Sequence, residues 1–131
     1  MQCLTGSLNY VAKCSVKCLI IVNESPWQTG LSLCALRFAH AAVAAGLTIP
    51  AIFFREDGVY NSLPGTVADA GTPELASGWK DFSDTHGARL LLCSSSSQRR
   101  IPPGSAGSAF FETGLAEMLE LMQQSERVVS F

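Results

Sequence analysis

Residues 17–54 read "KCLIIVNESPWQTGLSLCALRFAHAAVAAGLTIPAIFF", and their reading decides the fold. "KCLIIV" (17–22) is continuously apolar after Lys17 and rich in β-branched residues, the pattern of a short strand buried on both faces. "NESPWQTG" breaks it. From Leu31 to Ala45 the chain is apolar almost all round and built of good helix formers, with Gly46 as C-terminal cap. Such a helix is expected to be largely buried, and Cys34 and His40 on it read as packing residues. "IPAIFF" (49–54) is a second buried strand. Strand, helix and strand joined this closely form a parallel pair with a crossover helix.

Outward from this unit the alternation continues. "REDGVYNSLPG" (55–65) reads as a loop, and residues 65–72 as an irregular excursion. Residues 73–87 form a helix capped by Thr72, with Pro73 in its first turn and Gly87 at its end. Leu75, Trp79 and Phe82 share its apolar face. "ARLLLC" (88–93) is a third strand, "SSSSQRR" (94–100) opens a short helix, and "PPGSAGSA" (102–109) is a loop. Leu115, Met118, Leu119 and Met122 mark an amphipathic helix over about 112–125, and "RVVSF" (127–131) is a closing strand. The expected fold is α/β: a three-layer α/β/α sandwich with a mostly parallel sheet, flavodoxin- or Rossmann-like. Strand-like sequence begins only at Lys17. Residues 1–16 therefore read as an N-terminal extension or added leader, and 17–131 as a single domain.

Composition narrows the function classes. The 131 residues are 47% hydrophobic and 15% charged, with a formal net charge of −2. No basic field drives binding to nucleic acid or to a membrane surface. The low charge content fits either a well-buried core or a surface partly covered by subunits. No apolar run reaches the roughly 18 residues of a membrane span. The five cysteines, Cys3, Cys14, Cys18, Cys34 and Cys93, include no C-x-x-C pair, and neither His40 nor His86 sits beside a cysteine pair. This pattern implies neither a metal site nor a disulfide scaffold, and free thiols suit the cytoplasm.

Chemistry in such folds gathers outside the carboxyl ends of the strands. "LLLCSSSSQRR" (90–100) ends there, placing Cys93 at a strand terminus ahead of four serines, Arg99 and Arg100. A cysteine reacts as thiolate, and a helix start, hydroxyl groups and nearby guanidinium groups all favour that form. The same residues also fit a buried strand-end cysteine before a polar loop. Cys93 to Arg99 is in addition a C-x5-R spacing, similar to the oxyanion-binding loop of low-molecular-weight tyrosine phosphatases and related arsenate reductases. Those loops carry glycine and an Asp-Pro acid, and neither is matched here. No glycine fingerprint follows the first strand, so no flavin or nucleotide cofactor is implied. Trp27 reads as core or interface.

In this order and spacing, the segments over about 17–131 resemble the DsrE/DsrF-like family, most closely the TusD/DsrE subunits of sulfur-relay complexes. The resemblance rests on "KCLIIVNESPW", "AAVAAGLTI", "FFREDGVYNS", "LLLCSSSSQRR" and "GLAEMLELMQQSERVVSF". It implies a sulfurtransferase that carries sulfur as a persulfide on Cys93. A donor protein loads the sulfur and an acceptor protein removes it, in tRNA 2-thiouridine modification or in sulfur oxidation. Related DsrE-family subunits are the implied partners, in a homo- or hetero-oligomer, a hexamer by resemblance. Ser94, Ser95, Arg99 and Arg100 would stabilise the persulfide anion or guide a partner. Asp57, Gly58, Tyr60 and Asn61 would line the pocket, although Gly58 and Asn61 also suit turn geometry. Two departures stand out: serines replace the family's alanine-rich run, and "IPPGSAGSAFFETG" is shorter than usual. The alternative is a non-catalytic scaffold subunit.

Overall fold

The computed structural model describes residues 16–65 and 74–131. The proposed leader, the cysteines Cys3 and Cys14, the Thr72 cap and Pro73 lie outside the described residues. Five strands form one parallel sheet: β1 (Cys18–Val22), β2 (Ala51–Phe54), β3 (Arg89–Cys93), β4 (Phe110–Thr113) and β5 (Arg127–Ser130). Their spatial order is β4-β3-β2-β1-β5. Helices α1 (Leu31–Ala44), α2 (Leu75–His86), α3 (Ser94–Arg100) and α4 (Leu115–Gln124) connect them.

The order explains the layers. Successive strands from β1 to β4 step in one direction, and β5 returns to the far side of β1. Right-handed crossovers then place the helices of the two directions on opposite faces. Alternate strand residues divide accordingly. Ile20, Ile52, Phe54, Leu90 and Leu92 pack against α1 and α2 through Ala35, Leu36, Ala39, Trp79 and Phe82. Leu19, Ile21, Phe53, Leu91 and Cys93 pack against Met118 and Leu121 of α4. β1 and β2 are buried along their whole length, as their continuous apolar sequence requires.

Several expectations are corrected. "REDGVYNS" is not an open loop: Glu56–Ser62 forms a 3-10 helix. Phe110–Thr113 is a strand at the sheet edge, so Glu112 and Thr113 belong to β4 and not to the last helix. In α4 the buried side chains are Met118 and Leu121, while Leu115 and Leu119 are exposed. Helix α1 is buried along one side only, through Ser32 and the small residues Ala35, Ala39 and Ala42 with Leu36. Cys34 lies off that side and is exposed instead of packed. His40 is also at the surface, where its ring meets the edge of Phe82 at a centroid distance of 5.0 Å. No helix among the described residues is long and apolar enough to cross a membrane.

Candidate functional site

The carboxyl edge of the sheet brings together the ends of β1, β2 and β3, the 3-10 helix and α3. β3 is paired with β2 from Ala51↔Arg89 to Phe54↔Leu92 and with β4 from Leu90↔Phe110 to Cys93↔Thr113. This register fixes Cys93 as the last residue of an interior strand. The side-chain alternation turns its sulfur toward the α4 face, among Phe53, Leu91, Met118 and Leu121. Cys93 is only 4% exposed. Its Sγ lies 3.3 Å from the Oγ of Ser95, which is itself at the surface. The sulfur thus sits about one hydroxyl beneath solvent.

Two opposing effects act on this thiol. Burial raises its pKa. The hydroxyls of Ser95 and Ser96, with the backbone N–H groups of Ser96 and Ser95, act the other way and prevail, so the pKa is lowered from the ordinary thiol value. The reason is local: Cys93 occupies the N-cap position of α3, where the first N–H groups have no carbonyl partner within the helix. Cys18, at the opposite end of the sheet, is the contrast. Its burial dominates, Arg127 offsets it only in part, and its pKa is raised.

The 3-10 helix is tied to α3 by polar bonds. The Glu56 backbone N–H donates to Ser96 Oγ at 2.9 Å. Arg100 Nε donates to Asp57 Oδ1 at 2.8 Å, and its Nη2 donates to Glu56 Oε2 at 3.0 Å. Hydrogen bonding by Asp57 is the largest influence on the guanidinium and raises its pKa; burial opposes this, and the charges of Asp57 and Glu56 add to it. Glu56 has a φ of 50°, the one non-glycine residue at positive φ among the described residues.

The expected site residues therefore separate. Cys93 and Ser95 are in contact. Ser94 is half-buried in the first turn of α3, and the sulfur's hydrogen bond is with Ser95. Arg99 is exposed, without an ion pair among the described residues, whereas Arg100 is held by two carboxylates. Gly58 supports the site from below: a Cβ there would lie 2.0 Å from the Val22 carbonyl oxygen. Asn61 is buried, and its Nδ2 donates toward Glu24 O, Ser32 Oγ and Gly58 O at 2.9–3.1 Å, tying the 3-10 helix to the loop after β1. Tyr60 is partly buried against the half-exposed ring of Trp27, 5.3 Å between centroids. Ser96 and Glu56 were not singled out in the sequence. Ser96 stands three residues after a cysteine at a helix start, which is a capping spacing; nothing in the sequence marks the backbone amide of Glu56.

The C-x5-R reading meets a geometric obstacle. An oxyanion loop must leave its backbone N–H groups unspent around the anion, but Ser94–Arg100 is helical throughout. Its later N–H groups are already bonded within the helix or at its end, as Ile101 N–H is to Ser97 O at 2.9 Å. Among the described residues no group of three or more His, Cys, Asp or Glu side chains is arranged to hold a metal ion.

Comparison with known proteins shows the family and the fold. The sequence model of the DsrE/DsrF-like family matches residues 16–131. The chain belongs to the DsrE/DsrF-like family. Its relatives in that family include a sulfurtransferase TusD homolog of Vibrio parahaemolyticus, 27% identical over 86% of this chain and 95% of that protein. A putative sulfurtransferase DsrE of Allochromatium vinosum is 28% identical over 88% of this chain and 98% of that protein. Among solved structures, the ychN protein of E. coli superposes with a TM-score of 0.77 at 18% identity, over 88% of this chain and 99% of that one. This last likeness establishes the DsrE-like α/β fold.

Proposed function

We propose that this member of the DsrE/DsrF-like family is a sulfurtransferase subunit of a sulfur relay, with Cys93 as nucleophile and carrier. The observation that carries the proposal is the sulfur at the carboxyl end of β3, in hydroxyl contact with Ser95 and with its pKa lowered despite burial. The names of the relatives, sulfurtransferase TusD homolog and putative sulfurtransferase DsrE, support it.

The reaction is a displacement at sulfur. The Cys93 thiolate attacks the terminal sulfur of a donor protein's persulfide. A new S–S bond forms at Sγ, the donor's S–S bond breaks, and the donor departs as thiolate with its electron pair. The proton of the donor persulfide stays with the transferred sulfur or passes to solvent. An acceptor thiolate then attacks the terminal sulfur on Cys93 and releases the Cys93 thiolate again. Neither step consumes an oxidant or reductant, and no cofactor is required. Ser95 and Ser96, with the first amides of α3, favour the anion in both halves. Arg99, exposed on α3, would guide a partner.

By the same reading the chain works in the cytoplasm between a sulfur donor and an acceptor protein, assembled with copies or relatives of itself, in tRNA thiolation or sulfur oxidation. Incubation with a small-molecule persulfide, followed by peptide mass spectrometry, tests the assignment. One added sulfur is expected on the Cys93 peptide and none at position 93 of Cys93→Ser. An intact chain that takes up sulfur equally well after Cys93→Ser would remove Cys93 from the role. A folded Cys93 that never takes up sulfur would favour the scaffold alternative.

A further inference from the structure

A cavity of about 270 Å³ lies between α3 and the edge strand β4, lined by Ser97, Gln98, Ile101, Pro103 and Glu112. The two segments that depart from the family pattern build most of it. Ser97 ends the serine run, and Ile101, Pro103 and Glu112 belong to "IPPGSAGSAFFETG". The cavity adjoins the end of β3 along two elements. On α3, Gln98 stands one turn after Ser94, the residue that follows Cys93. In the sheet, Glu112 pairs with Leu92, and the next residue, Thr113, pairs with Cys93. The cavity is smaller than the sites that take whole small molecules and suits a single side chain.

Its walls select the kind of side chain. Ile101 and Pro103 give it an apolar flank. Ser97 is 1% exposed, and its Oγ has no hydrogen-bond partner. A buried hydroxyl left unpaired costs free energy that a bound donor recovers. Glu112 is exposed, is the one charged residue of the lining, and forms no ion pair among the described residues. The Arg100 guanidinium on the same helix is held by Asp57 and Glu56. The lining therefore combines oxygen acceptors, one negative charge and an apolar wall. A lysine side chain complements all three: its methylene stem packs on apolar surface, and its ammonium brings three donors and no acceptor.

We infer that this cavity is a docking site for a lysine side chain of the protein that exchanges sulfur with Cys93. The ammonium pairs with the Glu112 carboxylate and donates to Ser97 Oγ and the Gln98 amide oxygen, while the stem packs on Ile101 and Pro103. A seated lysine holds a cysteine of the same partner close to the end of β3, and partners are selected by charge and by the spacing of the two residues. This deepens the proposed role of Cys93 and rests on it.

Short synthetic peptides test the inference. Each carries one cysteine activated as its 2-pyridyl disulfide and a lysine at a varied spacing, and each is matched by a peptide with norleucine in place of the lysine. Cys93 attacks the peptide sulfur, a mixed disulfide forms, and pyridine-2-thione leaves. Peptide mass spectrometry reads the rate at Cys93 and separates it from the exposed Cys34. At the favoured spacing the lysine peptide is expected to react about threefold faster than its norleucine match, as befits a partly exposed ion pair. The ratio is expected to fall to about one in Glu112→Gln, a near-isosteric change at an exposed position whose fold circular dichroism checks, and to shrink in high salt. Glu120→Gln removes the same charge from the exposed side of α4 and is expected to keep the ratio. The inference is overturned if no spacing favours lysine, if the preference survives Glu112→Gln, or if Glu120→Gln lowers it as much. Disulfide exchange involves no sulfur transfer, so a Cys93 that never carries sulfur still yields the ratio.

Discussion

Ser95→Ala isolates the one side-chain contact made directly on the carrier sulfur. The change removes a hydroxyl 3.3 Å from Cys93 Sγ and leaves β3 and the first amides of α3 in place. A hydrogen bond to a charged group is worth about 1.5–3 kcal/mol, and the exposed position of Ser95 lets water replace part of it. A net loss of about 1 kcal/mol corresponds to about a fivefold drop in the thiolate-to-thiol ratio. A more basic thiolate is also a better nucleophile, with a Brønsted slope of about 0.4–0.5, which returns about twofold. Alkylation by iodoacetamide below the thiol pKa should therefore slow by about 2–3-fold. At high pH, where both proteins are fully thiolate, the variant should react about twofold faster. Crossing profiles are the signature of a lost anion-stabilising contact. Cys34 is exposed and must be resolved from Cys93 at the peptide level. Coincident profiles, or a variant slower at every pH, would refute the argument that the Ser95 hydroxyl stabilises the anion.

Two further outcomes follow from the scaffold and from linkage. Gly58→Ala places a Cβ against the Val22 carbonyl, which cannot give as a flexible side chain would, and should destabilise the fold by about 3 kcal/mol; calorimetry showing an unchanged Tm would contradict the close approach. Cys93 has a lowered folded-state pKa, so its contribution to stability is present above the ordinary thiol pKa and lost as pH falls through the folded value. The raised pKa of Cys18 acts in the opposite sense, its contribution lost as pH rises through the folded value. Urea titrations should accordingly show that Cys93→Ala costs more stability above the ordinary thiol pKa than in mild acid, and a pH-independent cost would contradict the sign.

The β1–α1–β2 unit was legible because its evidence is redundant: two continuous apolar runs flank a helix former bounded by Gly30 and Gly46. β4 was not, because its four residues supply only Phe110 and Phe111 before turning polar, and its position comes from pairing with β3. Helix α4 carries two apolar stripes, and periodicity alone does not choose between Leu115–Leu119 and Met118–Leu121; the sheet chose the second. In the candidate site, Cys93 and Ser95 could be read from a strand end followed by hydroxyls. Arg99 and Arg100 could not be told apart, since adjacent residues on a short helix point in different directions and only one meets Asp57 and Glu56. Glu56 was hidden for another reason. Positive φ is normally announced by Gly or Asn, and a glutamate there is understood only from its bonds to Arg100 and Ser96.

The most direct measurement is the mass of the Cys93 peptide after the protein is incubated with a persulfide donor and then with a thiol acceptor. A carrier gains one sulfur on Cys93 in the first step and returns to the free thiol in the second, while Cys93→Ser gains none at that position. A parent protein whose Cys93 alkylates readily yet never acquires the sulfur, or a Cys93→Ser variant that passes sulfur as well as the parent, would contradict a carrier built on this residue.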